Sequence, residues 1–312
     1  AINAGDALTR IAAAIDSPIV LTGNAKGVVS STHSLCVGSA LVIPRVQDEI
    51  EQSDVVLVAG SELSDADLYN GGRALNFTGK VIRIDIDVEQ MQRRAIPDVS
   101  LLGDSRITLT ALAQELNVSS SNSGSERAAN LRKSARAGVR QDLLPWIDAM
   151  EQTIPKGTVV ALDSTQLAYA AHTVMACGTP RTWLAPFGFG TLGCALPMAI
   201  GAAIADSTKP VLAIVGDGGW LFTVAEMAAA IDEGVDIVVV LWDNRGYGQI
   251  RESFDDVQAP RMGVDVSSHD PSAIARGFGW NAIDVNTIEA FSTALSEAFE
   301  NRGAHFIRIS VS

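Results

Sequence analysis

The sequence predicts two α/β domains, each a three-layer α/β/α arrangement around a mainly parallel sheet, and three observations carry that reading. Short apolar runs of strand length recur along the chain and end in Asp or Gly. Segments with helical spacing lie between them, as in LFTVAEMAAAIDEG between PVLAIVGD and DIVVVLWDN. A strand, helix, strand unit of this length has to cross over in parallel, so the alternation predicts parallel sheets flanked by helices. A chain of 312 residues is long enough for two such cores.

Taken in order, PIVLTG, DVVLVAG and KVIRIDID read as three strands of a first domain over residues 1–116. From Asn117 the sequence runs VSSSNSGSERAANLRKSARAG, polar and serine-rich, which reads as a surface linker over 117–140. Arg127, Arg132, Lys133, Arg136 and Arg140 in that stretch read as a solvated helix face, because no aromatic residues interleave with them. After it, TVVALD, PVLAIVGD, DIVVVLWDN and HFIRISV are strands of a second domain over 141–312.

The stretch from Gly216 to Asn244 sets an aspartate and an asparagine at the ends of two consecutive strands. Parallel crossover places both strand ends, and so Asp217 and Asn244, on one edge of the sheet, where ligands bind in such folds. Magnesium prefers hard oxygen ligands shared between protein and phosphate; Asp217 supplies charge and Asn244 a neutral carbonyl. Gly218 and Gly219, opening a helix that starts near Leu221, would offer backbone N–H groups to a phosphate. An ordinary turn accounts for GDGG alone, but the paired Asp and Asn favour a magnesium ion gripping a diphosphate. A decoy lies upstream: Gly188–Gly193 reads GFGTLG and fits the dinucleotide fingerprint. Pro186 breaks any strand before it, and Asp206 is not at a second strand's end, so that reading is disfavoured.

Composition narrows the classes. A net charge of −13 argues against a nucleic-acid surface, which needs clustered Lys and Arg. The longest apolar runs are strand-sized, no signal peptide is visible, and a cytoplasmic enzyme is expected. Cys36, Cys177 and Cys194 are widely spaced in apolar or small-residue surroundings, which predicts buried thiols. His33, His172, His269 and His305 show no metal spacing.

GDG followed by a helix, a strand and an Asn resembles the diphosphate motif of thiamine diphosphate enzymes, nearest the acetolactate synthase and 2-oxo acid decarboxylase group. LAPFGFGTLGCALPMAIGAAIA and DNRGYGQIRESF resemble the segments on either side of that motif. SPIVLTGNAKGVVSSTHSLCVG, DVVLVAGSELSD and KVIRIDIDVEQ resemble the family's middle domain in the same order. The resemblance implies thiamine diphosphate and Mg2+ as cofactors, with Asp217, the Asn244 side chain and the Gly246 carbonyl on the metal. It implies Ser164, Gln166, Gly216, Gly218 and Gly219 around the diphosphate. Gly190 matches the glycine whose carbonyl accepts a hydrogen bond from the cofactor's amino group, and Leu192 the apolar wedge that bends the cofactor so that it deprotonates itself. Gln249, Ile250 and Arg251 are the expected substrate wall. Ile250 stands where pyruvate decarboxylases carry a glutamate, and Arg251 is read either as a partner for a substrate carboxylate or as a surface arginine.

In part of the family the middle domain holds FAD or another nucleotide, and Asp85 and Asp87 sit where a ribose could bind. Glu62, however, occupies the place of a phosphate-facing arginine and would repel the nucleotide, so a domain that only supports the fold is favoured and FAD stays open. The resemblance further implies an N-terminal pyrimidine-binding domain carrying an activating glutamate, which no segment here matches. The opening AINAGDALTRIAAAID falls at the middle domain's first helix, with its first strand apparently missing. A fragment inactive by itself is therefore expected, from a homodimer or homotetramer acting on a 2-oxo acid. Its apolar surface around Asp217 and Gly190 is expected to lie open. A non-catalytic cofactor-binding or regulatory module and a dinucleotide-binding oxidoreductase are the alternatives.

Overall fold

The computed structural model describes residues 3–116, 123–265 and 269–311. The chain divides into two compact units, Ala1–Val139 with Ala176–Pro180, and Arg140–Met175 with Arg181–Ser312. Both are α/β with parallel sheets, as the apolar runs and helical spacers predict.

The first unit carries β1 (Ile19–Val20), β2 (Cys36–Gly38), β3 (Val55–Ala59), β4 (Lys80–Asp85) and β5 (Val99–Leu102). They form two separate parallel sheets, β1-β2 and β3-β4-β5. The amphipathic helix Gly5–Ile15 bridges them. Ala12 and Leu8 pack with Ile19 and Leu21, while Ala4, Ala7 and Ile11 pack with Ile84 and Leu109. Arg83 on β4 is fully buried, and its guanidinium donates to the carbonyls of Ser61, Arg93 and Ala95 and lies 3.5 Å from Asp85 Oδ2. Asp85 is buried and also accepts the Asp87 N–H, so its carboxylate is engaged inside the unit.

The serine-rich stretch corrects the sequence reading. Residues 117–122 lie outside the described residues, but Ser123–Gly138 is a helix rather than a surface linker. Ala128, Leu131 and Ala135 recur at helical spacing and pack against Val37, Ile43 and Val46. Two arginines of this helix act on the backbone beneath it. Arg127 donates to the Asp16 carbonyl at 2.8 Å, and Arg132 donates to those of Ser34 and Cys36 at 3.1 and 2.7 Å.

The second unit carries β6 (Val159–Leu162), β7 (Trp183–Leu184), β8 (Val211–Gly216), β9 (Ile237–Asp243), β10 (Asn281–Val285) and β11 (Ala304–Ser310). They form one six-stranded parallel sheet in the order β10-β11-β9-β8-β6-β7. Every residue of β6, β8 and β9 is buried, which is why these strands read as unbroken apolar runs instead of alternating ones. Trp220, Met227, Val239, Leu241 and Phe306 belong to the core of this unit. Three central strands thus end side by side at one edge. Among the described residues no helix is long and apolar enough to cross a membrane.

Candidate functional site

β8 delivers its chain to Asp217, which is 2% exposed. Asp217 Oδ1 accepts the Gly218 N–H at 2.9 Å, and Oδ2 accepts the Gly246 N–H at 2.6 Å. That second bond ties the loop after β9 to the end of β8. Burial, and then the neighbouring Asp243 carboxylate, push the Asp217 carboxyl up to about 6.

The helix after β8 does not begin near Leu221. A four-residue helical turn, Asp217–Trp220, comes first, and a second helix covers Glu226–Asp232. The early turn follows from Trp220, which is fully buried with its ring 5.5 Å from that of Phe306. The Gly218 N–H expected to face a phosphate is taken by the Asp217 carboxylate instead.

β9 delivers Asn244 to the same place. Its Nδ2 donates to Gln166 Oε1 at 3.0 Å, which fixes how the amide is turned. Its Oδ1 is buried and has no hydrogen-bond partner among the described residues. Gly248 closes this corner, because a Cβ there would overlap Asn244 Nδ2 and crowd Gln166 Oε1. An orphaned buried oxygen and a buried carboxylate with no ion pair among the described residues, on adjacent strand ends, form a donor set that fits a hard divalent cation. Among the described residues no three His, Cys, Asp or Glu side chains gather as a metal cage, so a cation here would have to draw on an amide and a carbonyl as well as Asp217.

β6 completes the edge. Gln166, 7% exposed, opens the helix Gln166–Val174, and Ser164 Oγ donates to the Gly190 carbonyl at 3.2 Å. The loop bearing Gly190 and the half-buried Leu192 is thereby held against the end of β6. Thr223 Oγ1 donates to the Gly193 carbonyl at 2.7 Å and fixes the loop from its other side. The GFGTLG loop follows the two-residue edge strand β7, not a long buried strand of the kind a dinucleotide fingerprint needs.

The expected substrate residues lie on the helix Gly248–Asp256. Ile250 is 50% exposed, whereas Arg251 turns back: its Nη2 donates to the Asn244 carbonyl at 2.8 Å. Arg251 thus braces the Asn244–Gly246 loop through Nη2, while its buried Nε has no hydrogen-bond partner among the described residues and lies 3.8 Å from Asp265 Oδ1. Phe189 and Phe222, 97% and 63% exposed, place open apolar surface on the Gly190 loop and beyond the Asp217 turn.

Sequence reasoning missed three charged residues here. Asp163, at the end of β6, is 1% exposed and accepts the N–H groups of Ser164 and Gly193. Asp243, 5% exposed, pairs with Arg308 of β11 at 2.6 Å and accepts the Arg245 N–H. The signals were available: Asp163 occupies the same strand-end position as Asp217, and Arg308 is a lone charge in the apolar run HFIRIS.

Residues 1–112 match the family described as thiamine pyrophosphate enzyme, central domain, and residues 163–309 match the C-terminal TPP binding domain. The chain is 32% identical over 318 residues to a probable 2-ketoarginine decarboxylase of Pseudomonas aeruginosa, covering 99% of this chain and 56% of that protein. It is 24% identical over 323 residues to the acetolactate synthase isozyme 1 large subunit of Escherichia coli, covering 99% and 57%. It is 26% identical over 301 residues to a benzoylformate decarboxylase of Pseudomonas aeruginosa, covering 95% and 56%. The chain thus spans about half the length of the curated relatives it matches.

Proposed function

The chain belongs to the thiamine pyrophosphate enzymes, whose central and C-terminal domains it carries, and on that premise we propose that it acts in the decarboxylation of a 2-oxo acid with thiamine diphosphate and Mg2+. The observation that carries the reading is the unpartnered Asn244 Oδ1 beside the buried Asp217 carboxylate at adjacent strand ends. Asp217, Asn244 and the Gly246 carbonyl would hold the metal, and through it the diphosphate; Gly216, Gly218 and Gly219 would flank the diphosphate.

When bound, thiamine diphosphate supplies a carbon nucleophile and an electron sink for the departing carbon dioxide. The chain's own part is to hold and orient. Gln166 accepts the Asn244 Nδ2–H, which would leave the amide oxygen to the cation, and Arg251 holds the Asn244 carbonyl, which would steady the backbone between the metal ligands. The Gly190 carbonyl, fixed by Ser164, keeps a second lone pair for an amino N–H of the cofactor. Leu192 would be the apolar residue against the rings, and Ile250 and Gln249 part of the substrate wall.

The identity to a 2-ketoarginine decarboxylase supports decarboxylation with release of an aldehyde, while the acetolactate synthase relative supports capture of a second carbonyl compound. The full protein would be a cytoplasmic dimer or tetramer with a pyrimidine-binding domain completing each site. Calorimetry of the chain with thiamine diphosphate plus Mg2+ against NAD tests the cofactor. Product analysis of the complete enzyme on pyruvate, benzoylformate and 2-ketoarginine tests the reaction. NAD binding without a response to thiamine diphosphate would overturn both.

A further inference from the structure

Asp163 is a buried carboxylate with an unusual set of partners. Both its oxygens lie within 3.0 Å of the Gly193 nitrogen, whose N–H they accept, and Oδ1 accepts the Ser164 N–H at 2.7 Å. Among the described residues no Arg, Lys or His pairs with it. Ala195 opens the helix Ala195–Ala205, and Cys194, at that helix's N-cap position, provides no side-chain cap. The carboxylate of Asp163 therefore holds the chain two residues ahead of that helix, at the Gly193 N–H, from a different strand.

The same carboxylate touches the third strand end. A Cβ on Gly219, in the turn after β8, would come within 3.1 Å of all three carboxyl atoms of Asp163. One side chain thus bonds the β6 end to the Gly190–Gly193 loop and packs closely against the Asp217–Trp220 turn. The last two are the segments that the proposed function assigns to opposite ends of one cofactor, rings on Gly190 and Leu192, diphosphate beside Asp217.

We propose that Asp163 is a positioning residue that tethers the Gly190–Gly193 loop over the site and so sets the distance between the ring-binding and diphosphate-binding halves. The proposal rests on the cofactor reading above. It predicts a split that mere loss of stability would not produce. An Asp163→Asn variant keeps the shape but replaces one acceptor oxygen by a donor facing backbone N–H groups.

The test measures amide hydrogen exchange and ligand affinity on the 312-residue chain. In the unaltered chain the Gly193 amide should exchange more slowly than that of exposed Thr191. In Asp163→Asn it should speed up at least about tenfold while β8 and β9 amides are unchanged. Affinity for thiamine diphosphate with Mg2+ should fall about tenfold, and affinity for inorganic pyrophosphate with Mg2+ should change less than about twofold. Unchanged exchange at Gly193, or an equal loss for both ligands, would overturn the proposal. If the variant does not fold, equal exchange at Gly193 and Thr191 in the unaltered chain would do the same. Failure of the unaltered chain to bind either ligand would instead count against the cofactor reading, with the exchange rates still deciding the tether.

Discussion

The sheet of the second unit runs unbroken through six parallel strands, whereas the first unit divides its strands between a pair and a triplet. The exposure patterns follow. β8 and β9 are buried throughout, but β3 has an exposed Val55 and three half-buried residues, and β5 exposes Val99 and Leu102. A continuous hydrogen-bonded ladder fixes neighbouring strand ends in register, so groups at those ends stand at set distances. In the second unit that register brings Asp163, Asp217 and Asn244 to one edge. In the first unit the comparable strand-end acid, Asp85, is engaged by Arg83 beneath it.

The largest effect expected from this contrast concerns packing. Phe306→Ala in the second unit should cost about 3–5 kcal/mol in chemical denaturation, because the ring is wholly buried. Leu102→Ala in the first, where the side chain is 63% exposed, should cost less than about 0.5 kcal/mol. Similar losses at both sites would remove the distinction. Next, Asp217→Asn should weaken Mg2+ binding by about a hundredfold, since in the proposed site it would remove an anionic ligand, and calorimetric titration reads this. Gln166→Leu comes third. Freed from its partner, the Asn244 amide can rotate, and Mg2+ affinity should drop about tenfold in the same titration.

The smallest effect is in pH dependence, and its sign differs between the units. The Asp217 carboxyl is raised to about 6 in the fold, so the folded chain binds its proton more tightly than the unfolded chain does. Its contribution to metal-free stability therefore falls as pH rises from the ordinary carboxylate range to about 6. Mg2+ affinity rises over the same interval as the proton is displaced. In the first unit the Asn76 N–H and Arg73 lower the Glu51 carboxyl, and Lys80 and the Val81 N–H lower that of Asp98. Those contributions are present above the ordinary carboxylate range and are lost on acidification. Denaturation followed between pH 4 and 8, with and without Mg2+, would show whether the two trends separate.

Much of the site could be read from the chain because buried parallel strands announce themselves as apolar runs and a ligand edge lies where they stop. β6, β8, β9 and β11 were legible for that reason, and Asp217 and Asn244 with them. β10, NAIDV, mixes polar and apolar residues at an edge, and β7 is two residues long, so neither gives such a run. The helix Ser123–Gly138 was hidden by its serines and arginines, although Ala128, Leu131 and Ala135 already carried its period. Asp163 and Asp243 were read as strand punctuation. Their importance lies in contacts made across strands, to Gly193 and to Arg308, and no local pattern displays such contacts.

Trp220 and Trp242 give the corner of Asp217 and Asn244 an optical property of its own. Each indole is nearly or wholly buried, one three residues beyond Asp217 and the other two before Asn244, and Trp242 meets Trp146 edge-on at 6.1 Å. The emission of a buried indole responds to nearby charge. A cation arriving between Asp217 and Asn244 would therefore report itself in the intrinsic fluorescence of the chain, without any label.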